Sequence, residues 1–266
     1  MPEFGWALVA GALIVLEAGV GWWFKRPLYG LLDSEVGLAL TVGWAVGAIA
    51  TAGLSAVTIA FCFQHRLITQ HQPLLTLALV ILAGDFVYYW WHWASHHVGW
   101  LWATHSVHHT APRMNVLASV RQSWTDIVSG TWLVWAPLGF LGFSPKMVAV
   151  YFTTLLVWEA ATHNEWSPRL GFLEWVLVTP SNHRVHHSLR EDHWNRNYGG
   201  ILVVWDRLFG TYTSEGAERI RSFGLVGVDD TAGPLEIVLR GWREWRGVTQ
   251  FSQRPITTPQ RTTSSG

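Results

Sequence analysis

Cysteine is nearly absent from this 266-residue chain: Cys62 stands alone, in an apolar stretch. A disulfide framework and a cysteine-type zinc site are both excluded. Charge is scarce, at 14% of residues, where an ordinary soluble protein carries roughly 25%. The formal net charge is zero, so nothing points to nucleic acid or another polyanionic partner. No phosphate-binding glycine fingerprint, no H-E-x-x-H and no haem-binding domain is present.

What fills the space is apolar and aromatic. Half the residues are hydrophobic, with 19 Trp and 12 Phe; indole rings favour the boundary between lipid and water. Between Phe4 and Ile81 the charged residues are Glu17, Lys25, Arg26, Asp33, Glu35 and Arg66, whereas the chain beyond Pro112 is richer in Arg, Asp and Glu. Helices in lipid followed by a cap in water fit that division. A membrane span needs about 20 mostly apolar residues. Phe4–Phe24, Val36–Phe63 and Pro73–Trp93 meet this requirement. Ile127–Phe143 and Pro145–Ala161, separated by Ser144, read as a hairpin entering and leaving one face of the bilayer.

The fold expected is therefore an all-α integral membrane protein. About three transmembrane helices and a membrane hairpin carry a helical, histidine-rich cytosolic cap. One domain covers 1–249, mainly transmembrane over 1–84 and bearing the chemistry over 85–215, before a disordered Thr/Ser/Gln/Pro/Arg-rich tail at 250–266. With this topology Lys25 and Arg26 share a face with the polar half and Arg66 lies opposite. The positive-inside rule makes the polar face cytoplasmic.

Thirteen histidines carry the strongest signal. His92 and His96 form H-x3-H; His105, His108 and His109 form H-x2-H-H; His183, His186 and His187 repeat it; His163 stands alone. Residues three and four apart share a helix face, so each H-x2-H-H is expected to present its three imidazoles to one or two metals. Neutral imidazole binds iron, copper, zinc and nickel, and these nine residues are the candidate ligands of a di-metal site. His65 and His71 read as loop residues, while His97 and His193 fall outside the repeat. Asp85, two helical turns before His92, and Glu159, four residues before His163, are candidates to fix a ligand ring by accepting its outer N–H. Spacing alone leaves several readings open: an oxygenase, a zinc-dependent membrane hydrolase, a metal carrier or sensor, and a bis-histidine haem protein.

The stretches D-F-V-Y-Y-W-W-H-W-A-S-H from Asp85, L-W-A-T-H-S-V-H-H-T from Leu101, T-P-S-N-H-R-V-H-H from Thr179 and N-Y-G-G-I-L-V-V-W-D-R-L-F-G-T-Y over Asn197–Tyr212 resemble the fatty acid hydroxylase/sterol desaturase superfamily. Within it, M-N-V-L-A-S-V-R-Q-S at Met114–Ser123 and the lone His163 look closest to alkylglycerol monooxygenase-like members. Those cleave ether lipids with a reduced pterin. Trp93 and His97 stand where the family usually carries Arg and where the alkylglycerol branch tends to carry an acid. The resemblance implies two iron ions held by histidine, O2 as oxidant, and hydroxylation, desaturation or oxidative cleavage of a lipid. It also implies an external electron donor: a separate reductase, a small carrier or a reduced pterin.

Overall fold

Backbone amides in a long apolar run have no water to bond, so helix is the form that satisfies them within the segment. In the computed structural model the three runs fold as α1 (Glu3–Trp23), α2 (Leu31–Gln64) and α3 (Pro73–His97). The structure describes residues 3–245 apart from Phe24, Arg26, Pro27, His71 and Asp230, and leaves aside the side chains of residues 3–10 and of Pro73. The tail expected over 250–266, His71 and Arg26 lie outside the described residues. Shorter helices follow: α4 (Gly99–His105), α5 (Val116–Ser119), α6 (Thr131–Val134), α7 (Ala136–Phe140), α8 (Pro145–Thr162), α9 (Pro180–His186), α10 (Val204–Phe209) and α11 (Pro234–Glu244). Among the described residues there is no β-strand, only two isolated bridges, Leu177 to Leu202 and Ser188 to Phe223.

Two helices, Leu31–Gln64 and Leu74–His97, are long and apolar enough to cross a membrane. The most apolar stretch of each is only 17% and 33% buried within the protein. A core helix of a water-soluble domain would be mostly covered. Here Val42, Val46, Ile49, Val57 and Phe61 of α2 face outward, a continuous apolar surface that lipid accommodates and water does not. At about 1.5 Å per residue, the 34 residues of α2 outreach a hydrocarbon core of about 30 Å. Helix α1 runs for 21 residues, with its side chains described from Gly11 onward.

The first arm of the expected hairpin, Ile127–Phe143, folds as a 3-10 turn followed by the single-turn α6 and α7. Gly130 adopts φ +78° between the turn and α6, and Pro137 opens α7, so no run of helical hydrogen bonds persists. The second arm is the continuous α8, begun by Ser144, whose hydroxyl accepts from the Met147 amide.

Close packing against α2 and α3 fixes these pieces. Ile59, Val80, Leu138, Val148, Tyr151 and Leu155 form the principal buried cluster. Gly139 of α7 sits on α2 so closely that a Cβ there would lie 2.7 Å from the Ile59 carbonyl and 2.6 Å from the Cys62 Cβ. The result is a scaffold in which the C-terminal ends of α3, α4 and α8 and the whole of α9 converge. Gly139→Val should therefore separate α7 from α2, at a cost of about 1–3 kcal/mol. Because Cys62 is buried and is the sole cysteine, maleimide labelling reads the change directly: slow in the wild type, fast in the variant. Equal labelling rates would contradict this packing.

Candidate metal centre

All nine motif histidines are buried and meet in one place, as two adjoining groups. His92, His96, His105, His109 and His186 form the first; His108, His163, His183 and His187 form the second. Within each group the candidate ligand atoms lie within 4.8 Å of one another. His65 and His97 are exposed and bond locally to Phe61 and Trp93, and His193 is buried beside Ser188. None of these three belongs to either group.

Each H-x2-H-H divides its three rings between the two groups. The i,i+4 pair His105/His109 joins the first group while His108 turns to the second. The pair His183/His187 joins the second group while His186 turns to the first. Helical spacing of four returns a side chain to nearly the same face, whereas the intervening residue is offset by about one-quarter of a turn. Each motif thus serves both groups.

Main-chain carbonyls set the ring orientations. The Nδ1–H groups of His92, His163 and His186 donate to the carbonyls of Tyr198, Glu159 and Arg196, at 2.9, 2.7 and 2.9 Å. A carbonyl only accepts, so each neutral ring carries its proton on Nδ1 and a bare lone pair on Nε2. These lone pairs face other ring nitrogens. His105 Nε2 lies 3.0 Å from His92 Nε2 and 3.2 Å from His109 Nε2. His163 Nε2 lies 3.2 Å from His108 Nε2 and 3.0 Å from His183 Nε2. The Nε2 atoms of His96, His186 and His187 are buried without any partner. Donors about 2.1 Å from one ion are roughly 3 Å apart at right angles. The residues therefore fit a metal: a cation at each centre satisfies lone pairs that nothing else in the protein satisfies.

Neutrality of the rings follows from burial. It drives the His105 pKa down to about 3, with repulsion from His186 adding to it. Burial also brings His163 and His186 to about 4, against the raising effect of the carbonyls they donate to. His108, His109, His183 and His187 are held well below the ordinary histidine range by burial and by neighbouring imidazoles.

Asp85 and Glu159 hold the site by routes other than the one expected. Each was a candidate to accept a ring N–H on its carboxylate. Instead Asp85 accepts from the amides of Ile201 and Leu202, at 2.7 and 2.9 Å, and from the Trp205 indole at 3.1 Å. It anchors the loop that carries the Tyr198 carbonyl, and so reaches His92 indirectly. Gly200 lets this loop approach, since a Cβ there would lie 2.9 Å from Asp85 Oδ1. Glu159 meets His163 through its main-chain oxygen, while its carboxylate accepts from Tyr88 Oη at 2.6 Å.

Three further contributors are not marked by the histidine spacing. Asp206 accepts from the amides of Tyr198 and Gly199, at 2.7 and 2.8 Å, closing the same loop from the other side. Arg184, between His183 and His186, is fully buried and pairs with Glu215 through two contacts of 2.6 Å. Such a pair withstands burial because both charges are matched and fork-to-fork bonded. Arg121 joins Thr110, beside His109, to Asp33 of α2 at 3.1 and 2.6 Å. Intrachain charge partners so far apart in sequence leave no local motif.

The lowered pKa values make acid stability a test of this site. An unfolded histidine titrates near 6.5, so between about pH 6.5 and 4 the unfolded chain binds more protons than the folded one. Stability must then fall as pH falls through that window. The thermal midpoint of metal-free protein in detergent is expected to drop steadily from pH 7 to pH 4. Each such group contributes about 1.4 kcal/mol per pH unit across its window. A flat profile would mean that the rings are not desolvated.

The chain matches the fatty acid hydroxylase family over residues 77–211. It is 30% identical over 248 residues to the alkylglycerol monooxygenase of Xenopus tropicalis, covering 91% of this chain and 55% of that protein. It is 36% identical over 156 residues to the Homo sapiens alkylglycerol monooxygenase, covering 59% of this chain and 34% of that one. With an ornithine lipid hydroxylase of Rhizobium tropici it shares 32% identity over 154 residues, 58% of this chain and 46% of the relative. The chain thus spans about half, or less, of these relatives' own lengths. No solved structure matches it. With all nine converging histidines inside the matched segment, the chain belongs to the fatty acid hydroxylase family.

Proposed function

We propose that this chain is a membrane-bound, non-haem di-iron oxygenase that hydroxylates a lipid, with its histidine centre on the cytoplasmic face. The observation that carries this reading is the pairing of two adjoining, buried groups of five and four imidazoles. His92, His96, His105, His109 and His186 would hold one ion, and His108, His163, His183 and His187 the other. Two iron ions held there would supply the redox chemistry, using O2 with two electrons and two protons from outside the chain to convert a C–H bond to C–OH and release water. The electrons would come from a separate reductase, a small carrier or a reduced pterin.

The residues around the groups perform binding and orientation. Carbonyl acceptors on His92, His163 and His186 hold lone pairs toward the centre before any ion arrives, which lowers the ordering cost of binding. Asp85 and Asp206 keep the Tyr198 loop in register, so either acts as a positioning residue. An apolar cavity of about 580 Å³ runs along α3, walled by Phe86, Trp90, Trp91, Ala94, Trp100 and Leu133. Trp91 also packs against the metal-facing rings, 5.8 Å from His105 and 6.1 Å from His92 between centroids. A hydrocarbon chain entering from the bilayer would lie in this cavity with one carbon near the centre, which supports a lipid substrate.

The relatives point to the same class. The names of the vertebrate relatives specify alkylglycerols, and that of the Rhizobium tropici relative specifies an ornithine lipid. An ether lipid is the reading we favour among sterol, acyl-chain and ether substrates. A zinc hydrolase would use a metal-bound water and a free carboxylate as base; the Asp85 and Glu159 carboxylates are already engaged by backbone amides and Tyr88.

Reconstitution with iron, a chemical reductant and isotopically labelled dioxygen, followed by mass spectrometry of a lipid panel, tests the proposal. One labelled oxygen atom per product is expected. His108→Ala and His186→Ala should each abolish turnover, and Asp85→Asn should reduce it about 10- to 100-fold. Oxygen-independent cleavage of an ester or amide with one bound zinc would overturn the oxygenase reading.

A further inference from the structure

A second polar site lies away from the histidines, where the end of α1 meets the cap. Lys25, Arg113, Arg219 and Arg221 line a cavity of about 240 Å³ together with Glu165 and Trp166. The four cations come from three separated parts of the chain, so folding alone assembles them. The single lining carboxylate offsets only one of these cations. Glu165 accepts from the Met114 amide at 3.0 Å and sits 3.6 Å from Arg113. Arg219 is steered by the main-chain oxygens of Trp166 and Glu165, at 3.0 and 3.5 Å. Lys25 and Arg221 are exposed and have no ion-pair partner among the described residues. The cavity therefore holds an excess of positive charge.

Its depth relative to a bilayer can be read from the neighbouring indoles. Trp22 and Trp23, at the end of α1, are 80% and 75% exposed, and Trp166 on the cavity wall is 46% exposed. Exposed tryptophans at the end of an apolar helix mark the lipid–water boundary. Lys25 follows Trp23 by two residues, on the polar side of that boundary. A phosphate monoester or diester fits both the charge and the donors, since guanidinium forks match its oxygens.

We propose that this cavity binds the phosphate of an anionic lipid headgroup, clamping the end of α1 to the segment that follows His163. The inference stands whether or not the histidine centre oxidises lipid. The protein would be assembled in nanodiscs of equal phosphatidylglycerol and phosphatidylcholine, and retained lipids counted by native mass spectrometry. The wild type should retain phosphatidylglycerol preferentially. The double variant Lys25→Gln, Arg221→Gln should lose that retention by about fivefold for each charge removed, whereas Lys25→Arg, Arg221→Lys should keep it. Equal retention of the two lipids by the wild type, or undiminished retention by the glutamine variant, would overturn the proposal. Displacement of the lipid by millimolar inorganic phosphate would assign the cavity to a free ion and overturn the headgroup. Should the glutamine variant fail to assemble, the wild-type preference alone decides.

Discussion

Convergence of unprotonated imidazole lone pairs is the constraint on which the rest of this molecule depends. Neutral rings brought to 3.0–3.2 Å through their Nε2 atoms cannot all hydrogen bond, because each carries one proton and several of those protons are already spent on main-chain carbonyls. Three more Nε2 atoms are buried with no partner at all. Leaving such groups unmet costs about 1–3 kcal/mol apiece. A scaffold that enforces this arrangement must be rigid, and a cation is what relieves it.

Rigidity comes from two kinds of contact. Apolar packing locks α7 and α8 onto α2 and α3, with Gly139 and Gly84 permitting contact distances that a side chain would forbid. Buried carboxylates then do what packing cannot. Asp85 and Asp206 accept from four amides of the 198–202 loop, and Arg184 with Glu215 ties α9 to the segment that follows α10. The reciprocal split of the two H-x2-H-H motifs binds the groups to each other. Neither group can be assembled without residues from both motifs, which makes the centre one cooperative unit.

The sequence carried much of this plainly. The spacing of histidines marked eight of the nine residues that the fold brings into the two groups, and the ninth, His163, stands alone in the sequence. The α2 and α3 spans were legible from uninterrupted apolar runs. What stayed hidden depended on partners without a sequence signature. The oxygens that orient His92, His163 and His186 belong to the main chain, and every residue has one. Asp85 is in register with His92 along α3, yet a loop more than 110 residues away claims its carboxylate. The first hairpin arm shows Pro137 and Gly139 in its sequence, but not the left-handed backbone that Gly130 adopts ahead of them. Arg184 lies between two of the histidines, and its partner Glu215 stands 31 residues further on.

The account stands or falls on two metal ions held by imidazole nitrogen. X-ray absorption at the iron edge, with metal counting on protein loaded anaerobically, addresses this most directly. Two irons per chain, each with a nitrogen shell showing imidazole multiple scattering, is the predicted result, and His186→Ala should lower both occupancies because the groups form one unit. A single ion per chain, or a shell dominated by carboxylate oxygen, would contradict it.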